Sequence, residues 1–114
     1  MSSQKISAYQ VDLTQNAIQN IKSILNYYID SLHSITAATT FQNSIIEKLT
    51  LIKQNPYMYG KPYNLSNFEI LDYHRKLVDR YHSILYVIDN PNKIVHIMYI
   101  FDNRQNMQSI DPLL

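Results

Sequence analysis

The chain has 114 residues, 46% of them hydrophobic, with ten Lys and Arg against nine Asp and Glu, one glycine and no cysteine. That length closes one hydrophobic core rather than two, and the lack of cysteine excludes disulfides, thiolate catalysis and cysteine-based zinc sites. The net charge of +1 makes any basic surface local: residues 73–110 hold Arg75, Lys76, Arg80, Lys93 and Arg104 against Asp79, Asp89 and Asp102, an excess that suits an anionic partner.

The N-terminal MSSQKISAYQ has no apolar run of signal-peptide length, and the longest apolar stretch, IVHIMYIF at 94–101, is too short to span a bilayer. A soluble cytoplasmic protein without membrane contact is expected. From Ala8 to Leu13, Tyr9, Val11 and Leu13 alternate with Gln10 and Asp12, the pattern of a short half-buried strand. Thr14 offers an N-cap. Apolar residues then fall at 17, 18, 21, 24, 25, 28, 29 and 32, which predicts an amphipathic helix.

After a break at His33 to Thr36, Ala38, Phe41, Ile45, Leu49 and Ile52 mark one face of a second helix, with Gln42, Lys48 and Lys53 pointing away. Pro56 stops it. Two helices so joined form an antiparallel hairpin with one apolar side to cover. The loop PYMYGKPYNLS carries two prolines, the chain's only glycine and three tyrosines, and reads as ordered but irregular. Strands are expected near Ile70 to Val78, Tyr81 to Ile88 and Lys93 to Phe101, joined by a tight turn at Asp79 and Arg80 and by DNPN at 89–92.

No repeat, low-complexity tract or linker divides the chain, so residues 1–114 are expected to form a single domain. The order β-α-α-β-β-β implies an α+β fold in which the helical hairpin packs on one face of a small, mostly antiparallel sheet. Alternation sorts the cations of the stretch YHRKLVDRYHSILYVID at 73–89. His74 and Lys76 share one face with Asp72 and Val78, and Arg75 shares the other with Tyr73 and Leu77. On the next strand Ser83 lies with Tyr81, Leu85 and Val87, opposite His82, Ile84, Tyr86 and Ile88. The face carrying His74 and Lys76 is expected to be the exposed one.

The run HRKLVDRYHSILYVID followed by KIVHIMYIFDNRQ resembles the C-terminal signature of the RelE/ParE superfamily of toxins from type II toxin–antitoxin systems. In that signature a Tyr/His-Arg pair opens one strand, an aliphatic-aliphatic-Tyr block fills the next, and a basic residue follows the last. The upstream LIKQNPYMYGKPY is similar to the leucine, proline and glycine pattern that follows the second helix of the family. The resemblance covers Tyr9 to Ile110.

The resemblance implies a toxin whose partner is a cognate antitoxin protein, which would cover part of the working sheet face. Its leading implication is translation inhibition by cleavage of mRNA on the ribosome. In that chemistry a base takes the ribose 2′-hydroxyl proton, an acid assists the leaving oxygen, and cations stabilise the phosphorane. Carried over by position, His74, Lys76 and Arg104 become catalytic, His74 as proton carrier with Lys76 and Arg104 clamping phosphate. Arg75, Arg80 and Ser83 become substrate-binding.

Two departures stand against that set. Ser83 sits where the nucleases often have arginine, and no aromatic follows Phe101. Other members of the superfamily poison DNA gyrase without a nuclease constellation, which is the alternative target, and a non-toxic antitoxin-binding module is the third reading.

Plainer roles stand beside these. Arg75 and Lys76 suit strand-surface solubility. Tyr86, Tyr99 and Phe101 suit sheet packing, and Tyr57, Tyr59 and Tyr63 suit loop anchoring over base stacking. His74, His82 and His96 have neither helical ligand spacing nor an obvious acidic third ligand, so no metal and no cofactor is expected.

Overall fold

The computed structural model describes residues 8–60 and 73–104. The expected onset of the second strand at Ile70, Asp72 and the loop residue Tyr63 lie outside them. The elements run β1 (Gln10–Leu13), α1 (Gln15–Asn26), a π-helical turn (Tyr27–Ser31), α2 (Ile35–Gln54), a short 3-10 turn (Pro56–Met58), β2 (Tyr73–Leu77), β3 (His82–Asp89) and β4 (Ile94–Asp102). The order is the expected β-α-α-β-β-β. The strands form one sheet ordered β1-β4-β3-β2, antiparallel except where β1 runs parallel to β4.

Each helix begins where a side-chain oxygen can take an orphan backbone N–H. Thr14 Oγ1 accepts from Ala17 N at 3.2 Å and donates to the Ile97 carbonyl at 2.7 Å, so one hydroxyl both caps α1 and ties it to β4. Ser34 Oγ caps α2 from Ala37 N at 3.0 Å. The first helical run continues past Asn26, but its last turn widens. Leu32 N–H reaches back five residues to the Tyr27 carbonyl at 3.1 Å, the bond of a π-turn. His33 then adopts φ 51°, a left-handed conformation that reverses the chain into α2.

The expected stripe of the hairpin faces the sheet. Phe41, Ile45 and Ile52 are buried with Val78, Ile84, Tyr86, Ile88, Val95, Ile97 and Ile100, while Ile21, Ile24, Leu25, Tyr28 and Leu49 pack at the margin. A bulge in β4 sets which residues do this. Leu85 pairs with Tyr99 but Tyr86 pairs with Ile97, which leaves Met98 as the extra residue. Ile97 and Ile100, three apart, therefore both face the helices. Tyr99 and Phe101 join Tyr73 and Leu85 in a second buried cluster on the opposite face. Asn20 Oδ1 on α1 accepts the Ile100 N–H at 3.0 Å, beyond the reach of the short β1.

No described helix is long and apolar enough to cross a membrane.

Candidate functional site at the hairpin end of the sheet

The face carrying His74 and Lys76 is the reverse of the one expected. His74 pairs in register with Tyr86 and stacks on its ring at 5.4 Å, and Tyr86 belongs to the core under the helices. His74 is 5% exposed, with the Tyr57 ring edge-on at 5.9 Å. Its Nδ1 lies 2.7 Å from the Tyr59 carbonyl, which can only accept, so Nδ1 carries a proton. The reason for the reversal is that alternation separates two faces without saying which one the helices cover. Val78, Ile84, Tyr86 and Ile88 made theirs the more apolar. Lys76 follows His74 to that side, and its Nζ sits 4.2 Å over the Tyr59 ring.

Arg104 lies at the other end of the expected set. Its Nε and Nη2 donate to Asp102 Oδ1 and Oδ2 at 2.9 and 2.6 Å, and its backbone N–H adds a third bond to Oδ1 at 2.8 Å. These hydrogen bonds, reinforced by the guanidinium charge, hold the Asp102 carboxyl well below the usual carboxylate range and make Arg104 harder to deprotonate. The folded state thus keeps Asp102 ionised where the unfolded chain would protonate it. The pair's contribution is complete above the ordinary carboxylate range and is lost as pH falls through and below it. Asp102→Asn is expected to flatten the acid limb of a stability-against-pH curve, and an unchanged limb would show that other carboxylates govern it.

Asp102 and Arg104 border a cleft of about 520 Å³ lined also by Tyr27, Tyr28, Tyr81 and His82. The π-turn forms one wall and leaves Tyr27 exposed, while Tyr28 packs on Phe41 at 6.1 Å. Burial, then the nearby Asp79 carboxylate, pushes the Tyr28 phenol up. The three histidines weighed as metal ligands lie apart from one another. His82 Nδ1 lies 3.1 Å from Asp79, His96 lies between Asp12 at 3.6 Å and Asp89 at 4.0 Å, and His74 has its carbonyl.

On the face away from the helices, Arg75 and Ser83 do come together. Arg75 Nε donates to Ser83 Oγ at 3.1 Å and Nη2 to Asn103 Oδ1 at 3.2 Å, with the guanidinium carbon 5.7 Å over the Phe101 ring. Ser83, fully buried, also donates to Asn103 Oδ1. Asn103 Nδ2 donates to the carbonyls of Arg80 at 3.0 Å and Asp79 at 3.4 Å. Asn103 thus joins β2, the hairpin turn and the end of β4, and sequence reasoning missed it. A lone amide after a strand carries no signal until the register places it beside the turn. Arg80 is exposed, with its guanidinium 5.2 Å over Tyr81.

The family model described as the ParE toxin of type II toxin-antitoxin systems, parDE, matches residues 11–107. The chain belongs to the ParE toxin family. It is therefore the toxin component of a type II toxin–antitoxin system, and a ParE-family toxin has a cognate antitoxin as partner. Among solved structures, one described as the chromosomal ParDE toxin–antitoxin system from P. aeruginosa is similar, with a TM-score of 0.67 and 16% identity. The match covers 85% of this chain and 98% of that one, and at that identity the likeness is one of fold. No curated protein sequence matches.

Proposed function

We propose that this ParE-family toxin acts by binding DNA gyrase and does not cut mRNA. The observation that carries this reading is the dispersal of the expected nuclease set. Cleavage by a 2′-hydroxyl needs a proton acceptor, a proton donor and cations converging on one phosphate. Here His74 is covered by Tyr57 and Tyr86, and Lys76 lies over Tyr59. Arg104 is neutralised by Asp102. Lys76 lies opposite Ile84, which in turn pairs with Ile100, so two strand spacings, roughly 10 Å, separate β2 from the strand that leads to Arg104. The buried Ile84 stands between them. The family to which the chain belongs and its small net charge of +1 support the same preference, since a ribosomal RNA surface rewards a denser cationic footprint. Such a target lies in the cytoplasm.

Induction in growing cells, with DNA and protein synthesis measured separately, tests the proposal. Early loss of DNA synthesis with trapped gyrase–DNA complexes is the expected result. Early loss of translation with cut mRNA would overturn it, and unimpaired growth would leave the non-toxic antitoxin-binding module.

A further inference from the structure

We infer that the end of the β2–β3 hairpin, with Arg75, Leu77, Arg80 and Tyr81, is the surface that engages an acidic segment of the toxin's protein target. The inference rests on the reading that the toxin works by binding a protein.

The starting observation is an imbalance of charge partners. The one carboxylate in the turn, Asp79, is directed inward. Its Oδ1 accepts the backbone N–H groups of Tyr81 and His82, each at 2.8 Å, and lies 3.1 Å from His82 Nδ1. Neither neighbouring arginine uses it. Among the described residues no carboxylate lies within ion-pair distance of Arg75 or Arg80. Among the described residues the Arg75 guanidinium bonds only neutral oxygens, through two of its N–H groups, and the Arg80 side chain makes only its contact with the Tyr81 ring. Nothing among the described residues claims the remaining donors or either full charge, which leaves them to an incoming anion.

The Arg75 guanidinium is also fixed in place. Ser83, Asn103 and the Phe101 ring hold it on three sides, and Asn103 is itself bonded to the turn carbonyls. A guanidinium so restrained loses little freedom on forming a two-point bond with a carboxylate. Two exposed apolar side chains flank the cations, Leu77 at 54% and Tyr81 at 49% exposure. Arginine beside exposed tyrosine and leucine is the composition of a protein-binding hot spot. A nucleic-acid track would call for a longer row of cations, and on the same sheet face β1 and β3 present Asp12 and Asp89 beside His96, which repel a polyanion. The patch is small. Two charge contacts and two apolar side chains suit a salt-sensitive target encounter better than the large interface of a permanent partner.

The test is binding of purified wild type, Arg75→Gln, Arg80→Ala and the control Lys22→Ala to gyrase heterotetramer at low and moderate salt. The same proteins are measured against the co-expressed antitoxin and against a short DNA duplex. Wild-type affinity for gyrase is expected to fall with salt. Each arginine variant is expected to lose about 10-fold or more at low salt, with Lys22→Ala unchanged and antitoxin affinity retained. Arg80→Ala removes no hydrogen bond of the fold, so it reports on binding even if Arg75→Gln is destabilised. Wild-type affinity in Arg80→Ala, loss of antitoxin binding instead of gyrase binding, or loss confined to the DNA duplex would each overturn this assignment while leaving the gyrase reading standing. Failure of wild type itself to bind gyrase would remove both.

Discussion

Ile84→Ala is expected to destabilise the protein by about 2–5 kcal/mol, the cost of a large-to-small change in a well-packed core. Ile84 has no exposed surface. It occupies the middle of β3 with Lys76 opposite on β2 and Ile100 opposite on β4, and it belongs to the cluster that Phe41, Ile45 and Ile52 cover from α2. Strands on both sides and a helix above leave little room for collapse around the lost atoms, so the cavity remains. In a domain whose whole stability is about 5–15 kcal/mol, such a loss brings the unfolding midpoint down steeply. Urea titration should show a lower midpoint with the slope unchanged, since the surface exposed on unfolding is nearly the same. Leu25→Ala, at the margin of the same cluster, should cost less. A midpoint for Ile84→Ala equal to wild type would mean that β3 is not the centre of the core.

The second large effect belongs to the turn. Asp79→Ala removes the acceptor of two backbone N–H groups and the partner of the largely buried His82. Leaving polar groups unmatched costs about 1–3 kcal/mol. Asp79→Asn keeps an oxygen for the two N–H groups and loses only the charge beside His82, so its cost should be clearly smaller. The order wild type, Asn, Ala in unfolding midpoint is the expected result. Equal midpoints for Asn and Ala would show that the charge, and not the turn acceptor, is what matters. The same turn sets the spacing of Arg80 and Tyr81 from Leu77, so Asp79→Ala should also disturb target binding without touching either arginine.

These two predictions draw on features of different legibility. That Ile84 shares a face with Tyr86 and Ile88 followed from alternation along HSILYVID, and the helical stripe through Phe41, Ile45 and Ile52 followed from its spacing. Thr14 as the cap of α1 was also legible, because a hydroxyl before an apolar-periodic run serves little else so well. The role of Asp79 was not. An aspartate in a turn can accept from its own backbone or pair with a neighbouring cation, and Arg75, Lys76 and Arg80 were all near in sequence.

The order of elements, the apolar stripe of the helical hairpin and the family were all legible along the chain, because each depends on local periodicity or on motifs a few residues long. Alternation also separated Arg75 from His74 and Lys76, since neighbours on a strand must point apart. Which of those faces the helices cover depends on how the whole sheet packs, and that packing buried His74 and left Lys76 over Tyr59. Register and the Met98 bulge decided the rest. By shifting β4 one residue they set Asp102 opposite His82. Packing at that strand end then drew Asn103 to Ser83 and the hairpin turn, contacts between residues some 20 or more positions apart that no local pattern encodes.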